Sequence, residues 1–507
     1  MFDTIAALIP RDQDFPPRTR RLDLLTRVLE GRLYDALPYE FHEERSGDGS
    51  YVPLRNRRPS VRYPLARIVV DDSLSLVFGE GHFPAIVSDD DATRASLADI
   101  ARDCGLNGVM LEAALRGSVG SVAILLRVLR GRVFCQVLPT LYLTPEWDPE
   151  APDTLAFVTE RRKVRGAELR AHGYDVADPA GDYWFMRVWD AAWETWYVPT
   201  PVVQGMPRAV DAARSVRHGL GFVPIVWVKN LPGGDATDGA ATFQGAVDTG
   251  IEIDYQLSQA GRGLKYSSDP LLLIREPAAT DGEIVRGAGN ALVVSEKGDA
   301  KLLEIGGTAA EAVIAYVRTL REFALEGVHG NRAPADRLAA PQSGRAMEMM
   351  NLGLIWLADN LRVSYGGALL ALLRMIVAAA AKFPLRTRAG EAGAMAPGAR
   401  IWLRWPNWYP ADATDRKLDA ETLATLAQAG QLSRATAVAF IAEEYGISDV
   451  SAELQRIAGE GPSPGSLRSP RWSASQPNPA SGRGERQGAA SRSHGNAPSP
   501  ACGRGLG

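Results

Sequence analysis

Cysteine, histidine and recognisable catalytic signatures are what this chain has little of. Its 507 residues hold three cysteines, Cys104, Cys135 and Cys502, and no CxxC. That excludes a disulfide framework and a thiolate zinc site, and fits a protein made and kept in a reducing cytosol. The six histidines are scattered, with no HExxH and no pair at helical metal-ligand spacing. No GxxxxGK[ST] is present to cradle a nucleotide phosphate, and no GxGxxG to open a dinucleotide fold. One GxSxG occurs, Gly461-Pro462-Ser463-Pro464-Gly465, but a nucleophile elbow needs a strand, a tight turn and a helix around it, and this segment has none of their patterns. The neighbouring carboxylates Asp71-Asp72, Asp89-Asp90-Asp91 and Glu443-Glu444 do not face each other on a helix and read as solvated surface. The expectation is a protein without catalytic residues, metal or cofactor. A hydrolase with an unrecognised site is the alternative from another class.

Long apolar runs are also missing. The N-terminal apolar run follows Asp3 and has no basic n-region, so it is not a secretory signal. The most apolar stretch, Tyr365–Ala381, falls short of the roughly 20 residues a bilayer needs and carries Arg374 near its middle. It reads as a helix buried in protein, with no membrane involved.

Charge of one sign is absent too. Lys+Arg number 56 and Asp+Glu 60, a formal net charge of −4, which is not the strongly basic balance of a chain that coats itself in nucleic acid. What is present is ordinary globular material, 46% hydrophobic and 23% charged, with the length of about three domains at roughly 150 residues each. The last stretch, 461–507, departs from this. It is Gly-, Ser- and Pro-rich, and its six arginines against one glutamate give it +5, leaving −9 on the rest. Such a tail cannot offset its ordering entropy and is expected to be disordered.

Periodicity organises the body as α+β. Helical spacing covers Arg20–Leu37, Tyr63–Phe78 (with Pro64 near its first turn) and Asp90–Gly117. Val119–Val128 and Arg132–Pro139 read as strands around an Arg130-Gly131 turn, Tyr183–Trp189 and Trp193–Val198 as a second hairpin, and Ile225–Val228 as a buried strand. Trp184, Trp189, Trp193 and Trp196 read as hairpin core rather than a stacking platform. The basic run Arg161-Arg162-Lys163-Val164-Arg165 reads as a solvated loop.

Two helices with a small insert follow. In the first, Gly245–Tyr266, Ile253, Leu257, Ala260 and Leu264 line an apolar stripe, and Asp248, Glu252, Tyr255, Gln259 and Arg262 another. In the second, Thr308–Val328, the apolar stripe is Val313, Val317, Leu320 and Ala324, and Thr308 with Glu311 forms a capping-box pattern. Leu271–Arg275 and Ala291–Ser295 read as strands between them. A polar loop, His329–Gln342, leads to a long helix from Ser343 to about Phe383, with Gly366-Gly367 as the expected kink. Ile401–Trp405 reads as a strand, and short helices over 413–460, one N-capped by Ser433, close the folded part.

Several segments, in order, resemble the siphovirus-type portal proteins of tailed bacteriophages. They are Tyr-Pro-Leu-Ala-Arg-Ile-Val-Val-Asp-Asp (63–72) with Val-Phe-Gly-Glu (77–80), and His-Gly-Leu-Gly-Phe-Val-Pro-Ile-Val (218–226) ending in Lys229-Asn230. Then come Ser-Gly-Arg-Ala-Met-Glu (343–348), Trp405-Pro406-Asn407, and Ala-Gly-Gln-Leu-Ser-Arg-Ala-Thr-Ala (429–437) leading to Glu453-Leu454 and Arg456-Ile457. The resemblance spans 20–460 and leaves the tail out. It implies a mixed α/β wing (1–240), a first stem helix (241–268), a β-containing clip (269–307), a second stem helix (308–328), a tunnel loop (329–342), a long kinked helix (343–385), a wing return strand (386–412) and crown helices (413–460). The usual Gly-Gly-Asn run before Ser343-Gly344 is missing, and Gly330-Asn331 stands well upstream instead.

The function so implied is a homo-oligomeric ring, a dodecamer, at the capsid vertex of a virion. Double-stranded DNA is packaged and ejected through it, and it docks the terminase large subunit, capsid or scaffold and head-completion proteins. Assembly would take place in the bacterial host cytoplasm. Another head–tail connector component is a third reading, after the hydrolase. Glu252, Arg262, Lys265, Arg332 and Arg337 are the candidate channel residues, the cations for a few phosphate contacts or for salt bridges between subunits.

Overall fold

Proline, aspartate and glycine set the first helix boundaries. After α1 (Phe2–Leu8), α2 (Pro17–Leu29) starts on a proline, where no intrahelical N–H is needed. α3 (Leu65–Phe78) enters through Pro64. The helix expected over 20–37 stops at Leu29, and a 3₁₀ turn, Leu33–Ala36, follows. The helical region at 90–117 is two helices, α4 (Asp91–Asp103) and α5 (Leu106–Gly117). The Asp90 carboxylate caps α4 by accepting the Thr93 N–H at 2.8 Å. Gly105, at φ 63°, makes the elbow between them, a left-handed conformation that costs glycine nothing sterically. This computed structural model describes residues 1–268, 271–277, 294–303, 307–331, 344–409, 413–442, 447 and 449–459.

The chain is α+β. A three-stranded antiparallel sheet has Ser121–Leu129 at its centre, between Arg132–Pro139 and Ile225–Lys229. Its hairpin turns at Arg130-Gly131, with φ 51° and 80°, as the spacing predicts. The central strand reads as an unbroken apolar run because both faces are covered. Val122, Ile124 and Leu126 join the main core with α3, α5 and later helices, and Ala123 and Leu125 join a second core with Val158 and Trp189.

A six-stranded antiparallel sheet runs Val216–Arg217, Trp193–Trp196, Asp182–Trp189, Ala151–Arg165, Leu143–Asp148, with Thr200–Pro201 also paired to Asp182–Trp189. The basic run at 161–165 is therefore strand, not the expected loop. Its cations are occupied. Arg161 and Lys163 lie over the Trp184 ring, Arg162 lies over Phe185, and Lys163 pairs with Asp12 and Asp14 at 2.6 Å. Trp184 and Trp189 are core, as expected, whereas Trp193 is exposed.

After α6 (Gly166–Ala171) come α7 (Val247–Ser268), strands Leu271–Pro277 and Val294–Leu303, and α8 (Gly307–Gly327). The second strand contains Val294 and Ser295 of the expected Ala291–Ser295, whose first three residues lie outside the described residues, and it runs on to Leu303. The long helix is interrupted at Asn351, between α9 (Gly344–Met350) and α10 (Leu352–Ala380), and not at Gly366-Gly367. Gly366 has a packing reason instead, since a Cβ there would lie 3.0 Å from the Trp405 ring. By length and composition α10 is apolar enough to cross a bilayer, yet 50% of its most apolar window is inside the protein and it supplies the middle of the main core. Ile401–Arg404 pairs antiparallel with Ala85–Ser88, tying the end of this region back to the N-terminal part.

The chain divides into two compact units, 1–417 and 418–507, with the division inside α11 (Ala413–Gln428). In the second unit α12 (Arg434–Ala442) packs on α13 (Val450–Gly459). Ser433 caps α12 as expected, its hydroxyl accepting the Thr436 N–H at 3.0 Å. The tail, 461–507, lies outside the described residues.

Candidate functional site

α7 and α8 pack against each other, joined through the hairpin of Leu271–Pro277 with Val294–Leu303. They run antiparallel: the segment leading into α7 meets the end of α8, where a Cβ on Gly245 would sit 3.3 Å from Val328. The stripe foreseen on α8 is the packed face. Val313, Val317 and Leu320 are half-buried and Ala324 is buried. Other apolar residues of α8 are left to solvent, with Ile314 45%, Tyr316 48% and Phe323 65% exposed.

The first half of α7 is rooted in the N-terminal layer. Asp248 accepts from the Phe2 N–H at 2.9 Å and pairs with the N-terminal ammonium at 3.0 Å. Ile253 is fully buried. Tyr255, expected on the polar stripe, is 1% exposed and donates its hydroxyl to the Arg57 carbonyl at 2.9 Å. Burial pushes that phenol up to about 12. Asp254 is 6% exposed and accepts from the Tyr34 hydroxyl at 2.7 Å and the Tyr63 N–H at 2.6 Å. Its removal from water outweighs these two bonds, and its pKa is pushed up to about 6. One turn on, the Ser258 hydroxyl donates to the Asp254 carbonyl at 2.7 Å and accepts the Val61 N–H at 3.0 Å.

The end of α8 is fixed differently. Gly330 N–H bonds to the Leu325 carbonyl at 2.8 Å and His329 N–H to that of Glu326 at 3.3 Å, the bond pair of a Schellman cap. His329 holds the left-handed position of that cap, at φ 54°, where glycine is usual. Its ring packs against Trp356 of α10 at a 52° tilt, with centroids 4.5 Å apart. α10 is itself clamped by Arg362, which is 8% exposed, has the Trp405 and Trp408 rings 4.7 and 3.3 Å away, and donates to the Leu76 carbonyl at 3.2 Å.

Of the five candidate channel residues, two, Glu252 and Arg262, have described side chains, and these engage different partners. Glu252 is half-buried on the rooted half of α7 and accepts from the Gln256 amide at 2.7 Å. Arg262 donates to Glu44 of the N-terminal layer, and that bond holds the Glu44 carboxyl below its usual range. Lys265 lies on α7 by its backbone, but its side chain, like Arg332 and Arg337, lies outside the described residues. Sequence reasoning missed Asp254 and Ser258, because a carboxylate and a hydroxyl within a helix carry no mark of burial.

Among the described residues no group of three or more His, Cys, Asp or Glu side chains is placed to hold a metal ion. A cavity of 850 Å³ beside α10 is lined by Trp147, Leu155, Phe222, Trp227 and Ala371, and its charged lining residues are Asp153 and Lys229.

No family model matches the chain, and no curated protein matches it. Solved structures are similar at 12% identity. A chain of the virion of a native gene transfer agent particle aligns with a TM-score of 0.39, covering 74% of this chain and 92% of that one. Chains from the neck of the empty particle, computed with C6 symmetry, and of the native particle, computed with C12 symmetry, align with TM-scores of 0.38 and 0.37, each covering 74% of this chain and 88% of the other. These likenesses are too low to carry an argument about function.

Proposed function

We propose that this chain is a portal subunit, a non-enzymatic protein that assembles into a ring through which double-stranded DNA passes. The observation that carries the reading is the rooted helix pair. α7 and α8 form an antiparallel pair tipped by a β-hairpin, anchored at one end by the buried Asp254 cluster, with Tyr316 and Phe323 of α8 exposed. An apolar flank on an otherwise anchored pair is what side-by-side packing between copies needs. The segment resemblance across 20–460 supplies the family, and the element order follows it: α+β body, helix, hairpin, helix, long helix, return strand, short helices.

The dimensions are compatible. Twelve helices about 10 Å apart on a circle give a circumference near 120 Å, an axis radius near 19 Å and a bore of roughly 28 Å once a helix half-width of about 5 Å is removed. A duplex of roughly 20 Å passes such a bore. A conduit must also not hold DNA tightly, and a body at −9 outside the tail meets that requirement.

Solution mass and negative-stain imaging of the purified full chain test the proposal. The expected result is a particle of about twelve chains with a central hole in end view. A monomer or dimer without a hole, under conditions where the protein is folded, refutes it.

A further inference from the structure

We propose that the cleft between the end of α2, the entry to α3 and the root of α7 binds a primary alkylammonium, its charge seated on Asp254 and its alkyl chain on the apolar floor. The cleft holds 270 Å³, close to the lower end of the roughly 300–1,000 Å³ usual for small-molecule sites. Its mouth is exposed at Arg62 and Arg67. Its floor is buried, with Leu29, Leu65 and Ile251 as apolar wall and Tyr34 and Asp254 as the polar end. Gly250, one turn before Asp254 on α7, keeps the cleft open. It lines the space, and a Cβ there would meet only Leu65 within 4 Å, at 3.8 Å.

Asp254 decides the sign of the ligand. A buried carboxylate is ordinarily paired with a cation. Among the described residues no Lys, Arg or His nitrogen lies within 4.0 Å of this one. Two neutral donors hold it instead, the Tyr34 hydroxyl at 2.7 Å and the Tyr63 N–H at 2.6 Å. A carboxylate offers about four lone-pair directions, so it can accept further donors. The other charges around the cleft are engaged elsewhere. Arg62 bonds Asp35 at 3.1 Å and the Gly31 carbonyl at 3.0 Å, Arg67 pairs with Asp71 at 2.8 Å, and Glu30 pairs with Arg32. The charge left for a ligand is negative. An ammonium fits it better than a guanidinium. A point charge with three donors can bond one carboxylate oxygen and the Tyr34 oxygen, whereas a planar fork needs both carboxylate oxygens, and each already holds a donor.

The same carboxylate gives the site a pH profile. Burial pushes Asp254 up to about 6, against its two hydrogen bonds and Arg62. The groups that face it are Tyr34, Tyr63, Arg62 and Tyr255, and no histidine lines the cleft. Tyrosine and arginine side chains do not ordinarily titrate between about pH 5 and pH 8. Affinity is therefore full above the Asp254 value and falls about tenfold on going from about pH 7.5 to about pH 5, where the carboxyl is mostly protonated. The inference is independent of the ring proposal, because the cleft lies within one chain.

The test is calorimetric titration of the full chain with n-pentylammonium chloride at constant ionic strength. Methylammonium, n-pentanol and pentanoate serve as controls for the alkyl body, the charge and its sign. Pentylammonium is expected to bind at least about tenfold more tightly than methylammonium, because its chain leaves water. Pentanol and pentanoate are expected not to bind. Asp254→Asn keeps the shape and removes the charge, and should lose the binding. Gly250→Leu, whose side chain would occupy the cleft, should lose it as well. No binding of pentylammonium, or equal binding of any control, overturns the proposal. Undiminished binding by folded Asp254→Asn removes the carboxylate as the seat, and by folded Gly250→Leu removes the cleft. The pH profile of the unsubstituted chain decides the matter even if a variant fails to fold: a flat profile across pH about 5 to 7.5 overturns the assignment to Asp254.

Discussion

Replacing Asp254 with Asn isolates one carboxylate whose burial opposes its ionisation. The folded protein holds it at about 6, against 3.8 for the free side chain. Below pH about 4 the folded and unfolded chains are both protonated at this position. Between about 4 and 6 the folded chain keeps a proton that the unfolded chain releases, so rising pH favours unfolding. The stability from this group is therefore fully present in acid and lost as pH rises through the folded pKa. A shift of about two units at 1.36 kcal/mol each makes that loss about 3 kcal/mol. The assay is the melting temperature of the parent and of Asp254→Asn from about pH 4.5 to about pH 7.5. Other carboxylates are common to both proteins and cancel in the difference. The parent's advantage should grow by a few degrees on acidification. Tyr34→Phe removes the hydroxyl that donates to Asp254 at 2.7 Å, and should move the same transition to higher pH. Parallel melting curves for parent and Asp254→Asn across the range would refute the account of the α7 root.

Arg362→Ala removes a guanidinium held by two indoles and two carbonyls, and is expected to cost about 3 kcal/mol, seen as a lowered melting temperature with red-shifted tryptophan emission. Gly366→Ala and Gly367→Ala are expected to act in opposite directions, although both are helix-interior replacements. The first drives a methyl to 3.0 Å from the Trp405 ring and should destabilise, while the second meets nothing within 4 Å and should gain about 1 kcal/mol from helix propensity. Equal melting shifts for the two would mean that the pair acts on the backbone alone. Phe323→Asp should leave the fold intact, because the side chain is 65% exposed, and should abolish assembly into large particles by solution mass. A variant that still forms the full particle would take α8 out of the proposed interface.

Elements with a strong local signal were legible in the sequence. The Arg130-Gly131 turn, the Pro64 entry to α3, the Ser433 cap and the α8 stripe each rest on chemistry contained in a few neighbouring residues. The strand Ala151–Arg165 was not, because its cations lie over Trp184 and Phe185 of the next strand, and arginines spaced along an edge look the same as arginines in a loop. Gly366-Gly367 carried two meanings, kink and close approach. What decided between them was Trp405, some forty residues further along, which no local window contains.

The site was less legible, for the same physical reason carried further. Asp254 takes its hydrogen bonds from Tyr34 and Tyr63, and Arg262 finds Glu44, all about two hundred residues upstream. A helix period assigns faces but not the depth at which each face is buried, so Tyr255 was grouped with the residues left to water. This bears on the proposed bore. A cation already bonded to a carboxylate of its own chain adds little field beyond the pair, and it displaces few counterions from a duplex. With Arg262 so engaged and the body outside the tail at −9, duplex binding by the proposed ring should be weak, its salt dependence shallow and dominated by the +5 tail. A full chain and one cut at 460 should then differ in salt slope far more than the full chain and Arg262→Gln do, because removing the tail takes away six arginines, whereas the substitution removes one cation already paired.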